Sequence, residues 1–481
     1  MCEICEDPTH KGSIEDLMDD WTRRGFLSKS VTLGTALGVA TACAPSASSV
    51  EKNPQSIAQP KSIIIQGAYI LTLDPELGDI ESGDVHIVGD EIVAVGSNID
   101  AQADLVIDGQ GSVVMPGFVD THTHMWNTIW RNLNAGYQAL TDKMGPHFRP
   151  EDFYNSVSLC AMEMLNAGVT TVHAWEHNIR KPEHADAELN ALKDAGIRTR
   201  FSYGFHHHIN SDEVADLDDM IRARDAWSDD LITVGYASRV FDNDGVGPSG
   251  WPAANGEVRE REWAFARSEG LPITHHVSWK TANAEPYIEM AGPDLLLVHG
   301  YQWGEDVWRQ LADAGTTSSM SPYTSIGSRL AIPFEAMKAG GIEISFSLDN
   351  LRATGVSDNF REMHVAKSIT RFSGANISDR ELLRIATEGG AKAMGLGDKI
   401  GTLKPGKLAD IIVVDIAHWA MQPKGEIDKM LVNSASASNV TDVIVGGKLV
   451  KRDGVLVGSN PSEIGKAANE SLTYLLNAMS G

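Results

Sequence analysis

Val113-Val114-Met115-Pro116-Gly117-Phe118-Val119-Asp120-Thr121-His122-Thr123-His124 decides the reading of this chain. An apolar run ends in His-x-His. On a strand, residues i and i+2 point the same way, so both imidazoles reach one ion. A single such ending carries little weight, but three others follow it. Ile273-Thr274-His275-His276 ends an apolar stretch in two histidines, one of which can be a third ligand. Leu295-Leu296-Leu297-Val298 ends in His299, and Ile344-Ser345-Phe346-Ser347-Leu348 ends in Asp349. Four imidazole or carboxylate endings on four strands point to one cation. Three histidines and a carboxylate with an open position suit zinc, and also iron(II).

Around these endings the pattern alternates between apolar strands and amphipathic helices. Strands are expected at 169–173, 199–203, 231–236, 272–276, 295–299, 316–319 and 343–348, with helices between them. Repeated β-then-α units over some 280 residues predict a parallel (β/α)8 TIM barrel. Barrel enzymes keep their chemistry at the C-terminal mouth, where these endings lie. Both chain ends read differently. Residues 62–73, 86–96 and 105–115 look like an antiparallel β unit, and strands return at 409–415 and 440–450. The economical solution is a small β-sandwich built from both ends, over 61–115 and 400–455, flanking a barrel over 116–399. Residues 456–481 are expected to form a C-terminal helix.

The first sixty residues read as an address. Arg23-Arg24 followed by Phe26-Leu27 and the apolar stretch 31–43 resembles a twin-arginine export signal. The stretch is too short to span a membrane. Residues 1–42 are therefore expected to be a signal, 43–60 a linker, and the mature protein periplasmic or otherwise extracytoplasmic. Ala40-Thr41-Ala42-Cys43 also resembles a lipoprotein box, which makes Cys43 a candidate lipid anchor.

The chain has 481 residues, room for a barrel and a smaller companion. With 65 acidic and 40 basic residues its net charge is −25, which repels phosphate backbones and argues against nucleic-acid binding. Four cysteines, with only Cys2 and Cys5 at C-x-x-C spacing, offer no disulfide framework.

In its ordered motifs, over roughly 60–455, the chain resembles the amidohydrolase superfamily. The nearest branch holds cytosine deaminase, the methylthioadenosine/S-adenosylhomocysteine deaminases and the triazine chlorohydrolases. Pro116 to His124 is similar to the first metal motif, with Arg131 at its usual distance. His276-Val277-Ser278 resembles the histidine strand and His299-Gly300 the substrate-side histidine. Asp349 through Met363 resembles the metal-aspartate region, and 386–391 and 401–410 the C-terminal signature. The resemblance implies metal ligands His122, His124, His276 and Asp349, with Asp349 also the base. It implies that His299 hydrogen-bonds the substrate's developing charge or orients the attacked group. Family members assemble, so a homo-oligomer is implied, acting on a small molecule.

Two departures matter. Where the deaminases carry a proton-shuttling glutamate, this chain has Trp279, and indole transfers no proton but can stack on a planar substrate. The segment Ser321-Pro322-Tyr323-Thr324-Ser325 stands where an asparagine is usual. No lysine near 169–176 suits a bridging carbamate, so one ion is expected rather than two. The expected activity is hydrolysis of a non-peptide carbon–nitrogen bond on a small cyclic or aromatic molecule. The alternatives are a deaminase with another proton shuttle, and an amide or dipeptide hydrolase. The last needs a cationic clamp, with Arg131, Lys280, Arg329 and Arg352 as candidates. His207, within His206-His207-His208, is a further candidate substrate contact. His173 and His177 flank Trp175 at another strand end. Trp126 and Trp130 are expected in the core.

Overall fold

The computed structural model describes residues 59–241, 253–277 and 281–480. The export signal, Cys43, most of the linker, Trp279 and Lys280 lie outside the described residues.

Five strands come first: β1 Ser62–Ile70, β2 Ile80–Val88, β3 Glu91–Gly96, β4 Leu105–Asp108 and β5 Ser112–Pro116. The barrel strands follow as β6 Phe118–Thr123, β7 Val169–Trp175, β8 Arg198–Tyr203 and β9 Ile232–Ser238. After a short pair, β10 Val240–Phe241 and β11 Ala253–Ala254, come β12 Ile273–His276, β13 Leu295–Val298, β14 Thr317–Met320 and β15 Glu343–Phe346. The chain returns to β16 Ile411–Asp415, β17 Val440–Val445, β18 Lys448–Arg452 and β19 Val455–Leu456.

Strands from the two chain ends form one sheet in the order β19-β18-β17-β16-β5-β1-β2-β3, with β4 also on β1. The join is antiparallel, with Val413 opposite Val114. Ile65, Ile87, Val114, Ile411, Val413 and Ile444 share a core that belongs to this sheet. The sequence suggested an antiparallel unit, but β4 and β5 run parallel to β1. An irregularity in β1 between Ile65 and Ala68 allows this. Gly67, at φ 73°, takes the bend. The first half of β1 then pairs with β4 and the second with β5.

Gly117 is the step from this sheet into the barrel. A Cβ there would stand 2.2 Å from the Thr170 side chain, so only glycine lets β6 lie against β7. The parallel strands run β15-β14-β13-β12-β9-β8-β7-β6. The cylinder closes at its C-terminal rim, where Thr123 bridges to Asp349 in parallel sense. His124 N–H donates to the Asp349 carbonyl at 2.7 Å, and Asp349 N–H to the His122 carbonyl at 2.9 Å. Leu348 N–H donates to the Asp120 carboxylate at 2.8 Å. Below, Thr121 Oγ1 bonds to Ser319, to Ser345 and to the Phe346 carbonyl.

The sheet is pinned to the barrel by a buried ion pair. Arg198 reaches Asp410 through Nε at 2.8 Å and Nη2 at 2.9 Å. The expected tail helix is Pro461–Ala478. Its Ala468, Leu475 and Leu476 share a cluster with Phe153 and Trp126. Among the described residues no helix is long and apolar enough to cross a membrane.

Candidate metal centre

The closing rim delivers the side chains. His122 lies at the end of β6 and His124 just beyond it, His276 ends β12, His299 follows β13 and Asp349 lies just beyond β15. All five are buried. Strand parity selects between the two adjacent histidines. His276 turns into the barrel mouth, whereas His275 faces outward, with Nδ1 2.6 Å from Ser238 Oγ and its ring near Trp263 and Tyr287.

His122 Nε2 and His276 Nε2 stand 3.1 Å apart. Asp349 Oδ1 lies 3.8 Å from His122 Nε2 and 3.7 Å from His124 Nε2. Ligating atoms of His122, His124 and Asp349 all lie within 4.8 Å of one another, and so do those of His122, His276 and His299. Tetrahedral zinc with Zn–N bonds of about 2.0–2.1 Å holds neighbouring nitrogens about 3.3 Å apart. The cluster therefore has the scale of a single-ion site, drawn slightly tight in places and slack at the carboxylate. Asp349 Oδ2 is fully buried and completes no hydrogen bond, which is costly unless a cation sits beside it. The residues fit a divalent metal.

Outer contacts orient these ligands. His124 donates Nδ1–H to the Trp175 carbonyl at 3.0 Å, leaving Nε2 as the ligating atom. Asn350 Nδ2 donates to Asp349 Oδ1 at 3.0 Å. Asp120 accepts from Thr123 Oγ1 at 2.6 Å and from His122 N–H at 3.2 Å. Both His299 and Asp349 have left-handed backbones, with φ of 77° and 63°. Such strain is held by the surrounding structure and gathers at functional positions.

Burial dominates the acid–base behaviour. It pushes the Asp349 carboxyl up to about 7, with Asn350 and the nearby Thr324 hydroxyl pulling it back. It holds His124 and His299 down at about 3. His122 and His276 fall well below their ordinary range, through burial first and neighbouring imidazoles second. Neutral imidazoles are the form that binds metal.

Other expected residues fall around this centre. Trp175 touches three of the clustered imidazoles, with ring centroids 4.3 Å from His276, 5.1 Å from His124 and 5.9 Å from His122. Of its two histidine flanks, His177 faces the site, 4.5 Å from His124. His173 lies deeper, with Nε2 2.5 Å from Ser202 Oγ. His207 reaches the site indirectly, with Nε2 3.0 Å from His177 Nδ1. Trp126 and Trp130 are core residues, as expected. Arg131 directs its guanidinium to Glu163 at 2.7 Å and to the Gly355 carbonyl, so it braces loops outside the imidazole cluster. Arg352 bonds the Ala135 carbonyl, and Arg329 is exposed.

Sequence reasoning gave no role to Asp120 or Tyr301, and it missed the buried carboxyl pair Glu176 and Glu188. Tyr301 had a signal, since it stands two residues after His299.

The Amidohydrolase family profile matches residues 113–294 and 309–450. A 5'-deoxyadenosine deaminase of Methanosarcina mazei is 30% identical over 419 residues, covering 81% of this chain and 93% of that protein. A 5-methylthioadenosine/S-adenosylhomocysteine deaminase of Pelotomaculum thermopropionicum is 27% identical, covering 86% of this chain and 99% of that protein. Among solved structures, an adenosine deaminase from Xanthomonas campestris with bound zinc superposes with a TM-score of 0.75. It is 21% identical and covers 86% of this chain and 98% of its own. An atrazine chlorohydrolase from Arthrobacter aurescens complexed with zinc also gives 0.75, at 19% identity, covering 85% and 100%. At those identities the structures speak for the fold alone. The profile and the relatives establish that this chain belongs to the amidohydrolase family, metal-dependent hydrolases of carbon–nitrogen bonds other than peptide bonds.

Proposed function

We propose that the chain binds one zinc ion on His122, His124, His276 and Asp349 and hydrolyses a carbon–nitrogen bond of a small planar heterocycle. The observation that carries this reading is that His122 and His124 cluster with a buried carboxylate whose Oδ2 completes no hydrogen bond, with His276 Nε2 3.1 Å from His122 Nε2. When bound, such an ion lowers the pKa of a water to about 7.

The protein supplies the rest. Asp349, held by Asn350 and by the closing rim, takes the proton of the attacking water. His299, just after β13, borders the reacting centre beside His122 and His276. Trp279 cannot shuttle protons, so Asp349 returns its proton to the leaving nitrogen. Trp175, packed on the imidazoles, offers an indole face to a flat ring, and His207 reaches the same side through His177. Burial of the cluster away from water strengthens each of these interactions.

A second reading is deamination of an adenosine-like nucleoside. It is favoured by the relatives, which are 5'-deoxyadenosine and 5-methylthioadenosine/S-adenosylhomocysteine deaminases. One experiment addresses both. Metal is measured in the purified protein, and amides, ureas, carbamates and aminated heterocycles are screened with ammonia as one readout. Zinc near one per chain, with activity lost to 1,10-phenanthroline and restored by zinc, supports the main reading. Ammonia from adenosine-type substrates selects the second. Full activity after complete metal removal overturns both.

We also propose that residues 1–42 direct export. Cell fractionation and the mass of the mature protein test this, and the mass reports whether Cys43 carries lipid. Light scattering tests the expected homo-oligomer.

A further inference from the structure

We propose that Tyr301 and Ser325 are positioning residues that set the tautomer of His299, placing its proton on Nδ1 and leaving Nε2 a hydrogen-bond acceptor. The inference rests on the proposed water attack for its consequence, but its geometry stands alone.

The hydrogens can be counted outward from the Ser321 carbonyl, an atom that can only accept. Ser325 Oγ donates to the Ser321 carbonyl at 2.8 Å. A hydroxyl has one hydrogen, so Ser325 Oγ must accept from its other neighbour. That neighbour is Tyr301 OH, 2.9 Å away. The single hydrogen of Tyr301 is then spent on Ser325. Tyr301 oxygen lies 3.3 Å from His299 Nδ1, and it is left as an acceptor there. His299 must supply the hydrogen, so Nδ1 is protonated.

Packing holds this arrangement. The His299 and Tyr301 rings are nearly parallel, 20° apart with centroids at 5.7 Å. His299, Tyr301, Ser321 and Ser325 are all buried. Ser321 and Ser325 belong to the segment where this chain departs from the usual asparagine. His299 clusters with His122 and His276, and with Nδ1 taken, Nε2 is the nitrogen left for the site.

The consequence revises the expectation drawn from sequence. A neutral ring of this tautomer cannot donate to an oxygen gaining negative charge. It accepts, so it orients the hydrogen of the attacking water while Asp349 removes a proton. The hydroxyl chain makes opposite predictions for its two members. Tyr301→Phe deletes the acceptor and frees His299 to populate both tautomers. Ser325→Ala returns the tyrosine hydrogen to His299 Nδ1, driving the ring proton to Nε2.

The test is nitrogen NMR on zinc-loaded full-length protein with 15N-labelled histidine, with His299→Gln to assign the signal. The expected result is Nδ1–H in the wild type, a mixture in Tyr301→Phe and Nε2–H in Ser325→Ala. On a turned-over substrate, kcat falls about tenfold in both variants with KM little changed. An Nε2–H signal in the wild type, or one tautomer in all three proteins, overturns the proposal. If Tyr301→Phe fails to fold, the reversal in Ser325→Ala decides alone. Nδ1–H in the wild type with no hydrolysis of any substrate would instead leave the tautomer standing and sink the function.

Discussion

His124 donates its backbone N–H to the Asp349 carbonyl at 2.7 Å, so the bond that closes the barrel joins two of the residues that face the ion site. Closure and ligation are thereby coupled. Anything that loosens the β6–β15 seam also separates the side chains at its end.

Asp120 is the hub of that seam, accepting from Thr123 Oγ1, His122 N–H and Leu348 N–H. Asp120→Ala leaves buried donors unpaired, each costing about 1–3 kcal/mol. We expect a loss on the order of 3 kcal/mol in urea unfolding, together with weaker zinc binding in a competition titration. Wild-type zinc affinity in a destabilised Asp120→Ala protein would show that seam and site are independent.

Asp349→Asn separates ligation from proton transfer. The amide oxygen can still coordinate, but it cannot hold the water's proton. We expect zinc content to stay above half that of wild type while kcat falls about 10³-fold. Near-normal turnover would remove Asp349 from its role as base.

Glu176 and Glu188 form a buried carboxyl pair. Burial pushes Glu176 from 4.5 up to about 8 and Glu188 well above its usual range, each also feeling the other. Folded carboxyls of this kind keep their protons while the unfolded chain gives them up. The pair's contribution is therefore fully present below about pH 4.5 and is lost as pH rises toward 8. Stability should decline across that window by a few kcal/mol at most. Glu188→Gln, which removes one of the two titrations, should flatten the decline in thermal melts at pH 5 and 8. An unchanged slope would mean that the pair is hydrated and ordinary.

Arg198 and Asp410 hold the sheet against the barrel from inside the protein. Arg198→Ala strands a buried carboxylate and should cost about 3–5 kcal/mol. Because the pair lies among the strand starts, away from the ligands, zinc per folded chain should not change. Metal analysis of the folded fraction checks this.

The strands that carry the candidate metal-binding residues were legible because each signal is local. His122 and His124 share a face by i, i+2 spacing, and His276 and Asp349 end apolar runs. Choosing His276 over His275 from the strand alone needed the direction of one side chain, which parity supplies only once the strand's inward face is known. Long-range partners were not legible. Arg131 looked like a substrate contact until folding placed Glu163, 32 positions later, against it. The parallel pairing of β4 and β5 with β1 depends on the bend at Gly67. Glu188 lies in the helix Pro182–Ala195, and its pairing with Glu176 follows from how that helix docks.

The shared sheet also governs when this protein can be finished. Val114 must wait for Val413, almost three hundred residues downstream, before its strand has both neighbours. During synthesis the ribosome has made most of the chain while β5 still presents a bare edge. A nascent or truncated product that stops before Ile411 would carry that edge into solution, open to pairing with other molecules. The segment from Ile411 onward is therefore the late-made cover for strands laid down near three hundred residues earlier.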